Sequence, residues 1–394
     1  MFEKLEMAPA DPILGLTEAF NDDPNPAKVN LGVGVYKDET GVTPIMNSVR
    51  RAERMLLETE TTKSYLPIPG APAYGEVVRA FLFGDAGAYP AATAHTPGGT
   101  GALRVAGQFL KKINPDATVW VSDPTWPNHN GIFGDAGFTV EKYTYYNAQQ
   151  RTLDFDGMLT SMQAMKAGDI IILHACCHNP SGIDPTVEQW EQIAQVVNEK
   201  NLLPLMDFAY QGLGRGLDED AEGLRIVAAA VEEIVVCSSF SKNFGLYKER
   251  VGAITLKAGS AEVVNAAFSN LKTIIRRLYS NPPAHGGAIV TTIMNDASLR
   301  AEWEGEVALI RCRMAQMREL FVKTLKTKGV ERDFSFLMSQ YGMFSFSGLN
   351  PDQVKTLRQK HSIYIVGSGR INVAGMTQHN MEPLCTAVAE VLAG

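Results

Sequence analysis

Through the middle of the chain, short apolar runs alternate with longer stretches whose apolar residues recur every three or four positions. Thr118-Val119-Trp120-Val121, Ile170-Ile171-Ile172-Leu173, Leu202 to Met206, Ile234 to Cys237 and Ala253-Ile254-Thr255-Leu256 have the length and composition of buried strands. The stretches near 101–112, 187–200 and 260–277 have helical periodicity. Such alternation predicts parallel pairing with helices on both faces of the sheet. In open sheets of this kind ligands bind beyond the carboxyl ends of the strands. Polar residues stand at those ends: Asp123-Pro124-Thr125-Trp126, His178-Asn179-Pro180, Asp207 to Tyr210, and a serine-rich segment after Cys237. A long helix is predicted from about Leu299 to Lys328, with Trp303, Val307, Ile310, Met314, Met317 and Phe321 as one apolar stripe. Beyond it, Met343 to Phe346, Ile363 to Val366 and Ile371 to Val373 predict strands of a smaller sheet, closed by a helix near 380–393. The fold class is α/β: a large domain with a mostly parallel, doubly wound sheet, plus a smaller α+β domain. No repeat, low-complexity tract or Gly/Ser linker separates them, so a continuous helix is expected to cross the boundary.

Composition narrows the function without fixing it. The 394 residues are enough for two domains and a large core, and 45% of them are hydrophobic, which excludes disorder. A net charge of −7 argues against nucleic acid or an anionic membrane as partner. No apolar run has bilayer-spanning length, and Met1 to Pro12 has no apolar signal core. Five cysteines without a CxxC pair point to free thiols in a reducing compartment, hence a cytoplasmic location.

Candidate chemistry concentrates where the strands end. Lys242 lies in Ser238-Ser239-Phe240-Ser241-Lys242-Asn243-Phe244-Gly245. An amine at the end of a buried strand loses part of its hydration, which disfavours the ammonium form and makes the lysine a usable nucleophile toward a carbonyl. The serine hydroxyls suit a phosphate, and Arg250 could grip the same phosphate through two bonds. Together they suggest a cofactor carrying an aldehyde and a phosphate; a polar loop with a solvated lysine reads equally from this segment alone. Pro97-Gly98-Gly99-Thr100-Gly101 opens a helix, where backbone amides and the dipole favour an anion, although a plain helix start is the simpler reading. Asp207 ends an apolar strand and needs a cation, for which a pyridinium N–H would serve, unless it caps a turn or pairs with a structural basic group; Tyr210 follows it closely. His174, Cys176 and His178 would share a face if the strand continued, but without a fourth ligand no metal is expected. Asn179 before Pro180 reads as an amide offered to a ligand oxygen, and Trp126 as a ring to stack on an aromatic one. Arg370, in Gly367-Ser368-Gly369-Arg370, could bind a carboxylate through two bonds.

Taken together, these segments resemble the aspartate aminotransferase family, the class I, fold-type I pyridoxal-phosphate enzymes. The resemblance runs from Asp11-Pro12-Ile13-Leu14 and Leu31-Gly32-Val33-Gly34-Val35-Tyr36, through Cys177-His178-Asn179-Pro180, Ser239-Phe240-Ser241-Lys242-Asn243-Phe244-Gly245 and Ser280-Asn281-Pro282-Pro283-Ala284-His285-Gly286, to Gly369-Arg370-Ile371-Asn372-Val373-Ala374-Gly375. It implies that Lys242 bonds the cofactor and shuttles the proton, that Asp207 pairs with the pyridine nitrogen, and that Tyr210 and Asn179 bond the phenolic oxygen. It further implies that Trp126 stacks on the ring and that Gly99, Thr100, Ser239, Ser241 and Arg250 hold the phosphate, with Tyr65 from a neighbouring subunit. Arg370 would bind the substrate α-carboxylate, near Gly34, and Arg276 of the neighbour a side-chain carboxylate. The implied protein is a homodimer with shared active sites that moves amino groups between aspartate or glutamate and 2-oxoglutarate or oxaloacetate by a ping-pong mechanism. The implied division is an N-terminal arm over 1–12, a small domain from 13–43 and 311–394, and a large cofactor-binding domain over 44–310.

Two positions depart from the family pattern: Ser181, where threonine is common, and Ser64, where aspartate-specific bacterial members commonly carry asparagine. Val35, Lys37, Thr43, Thr100 and Asn281 match the aspartate type, while Ser64 keeps an aromatic-amino-acid aminotransferase open. A bare-lysine aldolase would not need the phosphate grip or Asp207. A pyridoxal-phosphate lyase or decarboxylase has no evident need for two carboxylate-binding arginines, and a non-catalytic binding protein would not be expected to keep Lys242.

Overall fold

The computed structural model describes Met1–Met7 and Leu14–Ala393, the side chain of Leu14 excepted. The chain divides into two compact units, Pro44–Cys312 and, drawn from the two ends, Met1–Thr43 with Arg313–Gly394. Of the arm expected over 1–12, residues 8–12 lie outside the described residues, as do Asp11, Pro12 and Ile13 of the family resemblance.

The larger unit is built on β1 (Ala91–Pro97), β2 (Thr118–Asp123), β3 (Thr139–Thr144), β4 (Ile170–His174), β5 (Leu203–Phe208), β6 (Ile234–Ser239) and β7 (Val251–Lys257). Among the described residues these form one seven-stranded sheet in the order β1-β7-β6-β5-β4-β2-β3. β2 to β6 pair in parallel along that order, whereas β7 is antiparallel to both its neighbours. The sequence pattern predicted a parallel strand there. Its direction is reversed because the segment after Ser239 contains no crossover helix, and a short connection can return the chain only antiparallel. The sheet's outer strands also escaped the apolar pattern. β1 is made of small and polar residues, and β3 is a mostly exposed, polar run.

Helices α1 (Gly98–Ile113), α2 (Asn128–Asp135), α3 (Val187–Glu199), α4 (Ala261–Leu278) and α5 (Ala297–Thr327) include the packing and site elements that matter here. Leu103, Val105 and Phe109 of α1 and Leu271 and Ile275 of α4 bury against Val119, Val121, Ile170, Leu205, Val235 and Ile254 of the sheet. At about 1.5–3 kcal/mol per fully buried large side chain, this core is what fixes the strand ends in space. α3 begins with a reciprocal cap: Thr186 Oγ1 accepts from Gln189 N at 3.2 Å, and Gln189 Oε1 accepts from Thr186 N at 2.9 Å. α1 has no side-chain cap at its start, so its first amides remain available.

α5 carries the predicted stripe. Trp303, Val307, Met314, Met317 and Phe321 are buried along it. Trp303 stacks on Phe244, with centroids 4.4 Å apart, and donates Nε1–H to Asn243 O at 2.8 Å, which ties the helix to the Lys242 segment. The helix continues past Cys312 into the smaller unit.

Among the described residues, the strands of the smaller unit do not form the single sheet that the sequence predicted. Val29–Asn30 pairs in parallel with Ile363–Tyr364, and Phe344–Phe346 pairs antiparallel with Arg370–Asn372, giving two separate two-stranded ladders. The closing helix runs Gln378–Ala393 and packs Leu384, Val388 and Val391 against Leu31, Phe321, Leu349 and Leu357.

Candidate active site

The register of the sheet brings the strand-end residues to one edge. His174 pairs with Asp207 and Asp207 with Cys237, while Gly252, just after Arg250, pairs with Ser239. Residues up to 78 positions apart in the sequence, His174 and Gly252, therefore come to the same edge of the sheet.

Asp207 has the cation-like partner that its burial demands, and the partner is a histidine. His129, fully buried on α2, places Nε2 3.1 Å from Asp207 Oδ2. A carboxylate can only accept, so Nε2 carries a proton, and Nδ1 lies 2.8 Å from Thr125 Oγ1. Burial works to raise the Asp207 pKa, but the hydrogen bond and charge of His129, with His174 and Lys242, outweigh it and hold the carboxyl below its usual range. A fixed anion is thus present where a ring nitrogen would need one. Sequence reasoning missed His129. Its ring stands edge-on to Trp126, with centroids 5.4 Å apart, which places Trp126 beside the same pair.

Lys242 Nζ lies over the Tyr210 ring, 4.9 Å from its centroid. Burial pushes the Lys242 pKa down to about 8, with Arg250 adding to the shift and Asp207 opposing it. About a tenth of the amine is therefore neutral at pH 7, far more than for a solvated lysine. Asn179 Nδ2 stands 3.5 Å from Tyr210 Oη, and the Asn179 amide donates to His174 Nδ1 at 3.1 Å. Burial drives the His174 pKa down to about 3, so that ring is neutral and free to accept.

A second cluster lies at the start of α1. Ser239 Oγ and Ser241 Oγ are 3.2 Å apart, and Arg250 Nη1 is 3.4 Å from Ser241 Oγ. Gly98 has φ 75, and a Cβ on it would lie 2.4 Å from Arg250 Nη2. A Cβ on Gly99 would lie 3.0 Å from Ser239 Cβ. Glycine is needed here both for the positive φ and for the close approach. Thr100 follows, exposed, in the first turn. Uncapped amides, two hydroxyls and a guanidinium converge as a phosphate requires.

His174, Cys176 and His178 do not share a strand face. β4 stops at His174 and Cys177 takes φ 52, which breaks the alternation. His178 is used instead by Ser122 Oγ at 2.9 Å and Ser181 Oγ at 2.8 Å. Tyr65 is 90% exposed, and Arg276 is exposed in the last turn of α4, hydrogen-bonded to Ser280 Oγ. Neither is brought into the Lys242 cluster of its own chain by the contacts these two residues make.

In the smaller unit, Arg370 is buried with its guanidinium 4.2 Å over the Phe344 ring, and it donates Nη2–H to Gly32 O at 2.6 Å. Gly34 packs on the same ring, where a Cβ would lie 2.6 Å from Phe344 Cζ. Asn372 Nδ2 donates to Val33 O and Val35 O at 2.6 and 2.9 Å, fixing that segment.

The chain belongs to the aminotransferase class I and II family, whose model matches residues 26–388. It is 57% identical over 396 aligned residues, the full length of both chains, to the aspartate aminotransferase of Escherichia coli (strain K12). Among solved structures it is similar to an aromatic-amino-acid aminotransferase from Burkholderia pseudomallei, covalently bound to pyridoxal phosphate, at TM-score 0.97 and 47% identity, covering 100% of this chain and 99% of that one. It is also similar to the aspartate aminotransferase of Saccharomyces cerevisiae cytoplasm, at TM-score 0.98 and 35% identity, covering 100% of this chain and 98% of that one.

Proposed function

We propose that this protein is a pyridoxal-phosphate-dependent aminotransferase that moves an amino group between aspartate or glutamate and the matching 2-oxo acids, in two half-reactions. The observation that carries the reading is the amine of Lys242, its pKa lowered to about 8, beyond the same strand ends as Asp207, whose carboxylate accepts from His129. The residues fit the cofactor by the chemistry of their donors: an amine for an aldehyde, an anion for a ring nitrogen, and a cradle for a phosphate. Full-length 57% identity to an aspartate aminotransferase supports the substrate class.

When bound, pyridoxal phosphate supplies an electron sink for the charge left at the substrate Cα. The rest falls to the chain. Asp207, kept ionised by His129, holds a negative charge against the ring nitrogen. Asn179 and Tyr210 bond the phenolic oxygen, and Trp126 covers the ring face. Gly99, Thr100, Ser239, Ser241 and Arg250, with the partner subunit's Tyr65, hold the phosphate. Lys242 anchors the cofactor and, once its Nζ is released, takes and returns the proton at the substrate Cα, work that needs a base near the operating pH. Arg370 binds the α-carboxylate beside Gly34, and the partner subunit's Arg276 binds the side-chain carboxylate. The homodimer this requires is supported by the exposure of Tyr65 and Arg276 in the single chain. Five free cysteines, four of them buried, support a reducing, cytoplasmic setting. Among the described residues no helix is long and apolar enough to cross a membrane.

An aromatic-amino-acid aminotransferase is the second reading, favoured by the similarity to the Burkholderia pseudomallei enzyme and by Ser64. A panel of amino donors against 2-oxoglutarate, scored by kcat/KM, tests both. Aspartate and glutamate are expected to lead; a higher kcat/KM for phenylalanine or tyrosine would replace the first reading with the second. No transamination of any donor would remove both.

A further inference from the structure

We propose that Asp184 and Asp220 are positioning residues: two carboxylates that clamp the loops carrying Asn179 and Tyr210, so that both side chains meet one ligand oxygen. The inference rests on the reading above, in which that oxygen belongs to the cofactor.

After β4 the chain turns through Cys177, whose φ of 52 is a conformation that an L-residue holds when its surroundings impose it. Asp184 supplies the constraint. Its Oδ2 accepts from Cys177 N at 2.7 Å and its Oδ1 from His178 N at 2.8 Å. The next residue is Asn179. On the other side, the loop that leaves Tyr210 is gathered by Asp220, which is 3% exposed. Its Oδ2 accepts from Gly212 N at 2.8 Å and Gly214 N at 2.9 Å, and its Oδ1 from Arg215 N at 2.7 Å. The two loops abut at Gly214, where a Cβ would lie 2.5 Å from Asp220 Oδ1 and 3.0 Å from Cys177 Sγ. At the far end of both stands the pair that would use the alignment, Asn179 Nδ2 and Tyr210 Oη, 3.5 Å apart.

A carboxylate that closes a loop is common. Here two such acids close two touching loops, and each loop leads within two residues to one member of a single side-chain pair. The groups whose charges bear on Asp184 include Asp220, Arg215, Tyr145 and Cys176. Burial raises the Asp184 pKa to about 6, with the charge of Asp220 adding to the shift and the amides of His178 and Cys177 opposing it. Both oxygens are therefore acceptors at neutral pH. An asparagine at 184 would offer only one, and would turn an N–H donor toward an N–H donor.

The test is a pH titration of the visible absorbance of the full-length protein loaded with pyridoxal phosphate. Hydrogen bonds to the phenolic oxygen favour its charged form and so set the midpoint. Asn179→Ala should move the midpoint by about one unit, the scale of one hydrogen bond to a charged group. Asp184→Asn should move it in the same direction, and should move it no further when combined with Asn179→Ala, because it acts through that side chain. Melting temperatures check that each variant is folded. A folded Asp184→Asn with an unmoved midpoint, or a double variant whose shift is the sum of the two, overturns the clamp. An unmoved midpoint in Asn179→Ala overturns the assignment of Asn179 itself, and the clamp on Asn179 with it. Asp220→Asn crossed with Tyr210→Phe is read the same way, and decides the matter should Asp184→Asn fail to fold.

Discussion

His95 shows what burial does to a single ionisable side chain. It is 1% exposed on β1, its ring centroid 4.3 Å from that of Tyr74, and its Nε2 has no hydrogen-bond partner among the described residues. Burial alone lowers its pKa from 6.5 to about 4. The ring takes up a proton more readily in the unfolded chain than in the folded one. Its share of stability is therefore full above pH 6.5 and is lost as the pH falls from there toward 4. The loss amounts to as much as ~3 kcal/mol. His95→Gln should flatten the decline of urea-unfolding stability over that window; curves for the two proteins that fall in parallel would refute it. Lys242 and Asp207 were legible in the sequence because each follows an apolar strand, where an ionisable group needs a reason to be. His129 was not. Nothing in Trp126-Pro127-Asn128-His129 signals that its ring reaches an aspartate 78 positions away, since only the register of β2, β4 and β5 brings them together.

Elements were legible where the apolar period was strong. β4, β5, β6 and the stripe of α5 stand within a few residues of where the pattern puts them, because their burial leaves no choice of composition. Strand direction was not legible, since an apolar run reads the same both ways, and β7 is the case in point. Its Gly252 packs against the turn of the proposed phosphate cradle. A Cβ there would lie 2.4 Å from Gly98 C and 2.6 Å from Gly98 O, backbone atoms that cannot turn aside as a side chain can. Gly252→Ala should displace the Gly98 turn at a cost of about 1–3 kcal/mol. If that cost falls on the loaded cradle, the Kd for pyridoxal phosphate rises roughly five- to 150-fold. Titration of the cofactor-free protein with pyridoxal phosphate measures this; an unchanged Kd would separate the turn from phosphate binding.

At the scale of the whole molecule, the roles proposed for Tyr65 and Arg276 require a second chain, and they came from family resemblance, not from the surroundings of these exposed residues. Arg276→Ala should lower kcat/KM for aspartate by about 30- to several-thousand-fold, the scale of a buried charge pair broken on one side, and leave phenylalanine within about tenfold. Lys242→Ala should be nearly inactive with either donor. Mixing the two variants under conditions that exchange subunits should raise the aspartate activity above that of either alone, since one site of each mixed dimer then has both native residues. Demonstrated exchange without recovery would exclude a shared site.

The smaller unit is assembled from both ends of the chain: Asn25 meets Ser362 across 337 positions, and Arg370 meets Gly32 across 338. The larger unit is one uninterrupted stretch. On the ribosome the order of emergence follows. Leu31 and Gly32 leave the exit tunnel early and wait, unpaired, for nearly the whole of translation, while the sheet with Lys242 and Asp207 can fold as it appears, since domains fold as units during synthesis. The nascent protein should therefore fold the sheet that carries Lys242 and Asp207 before Arg370, the residue proposed to bind the substrate carboxylate, has been translated.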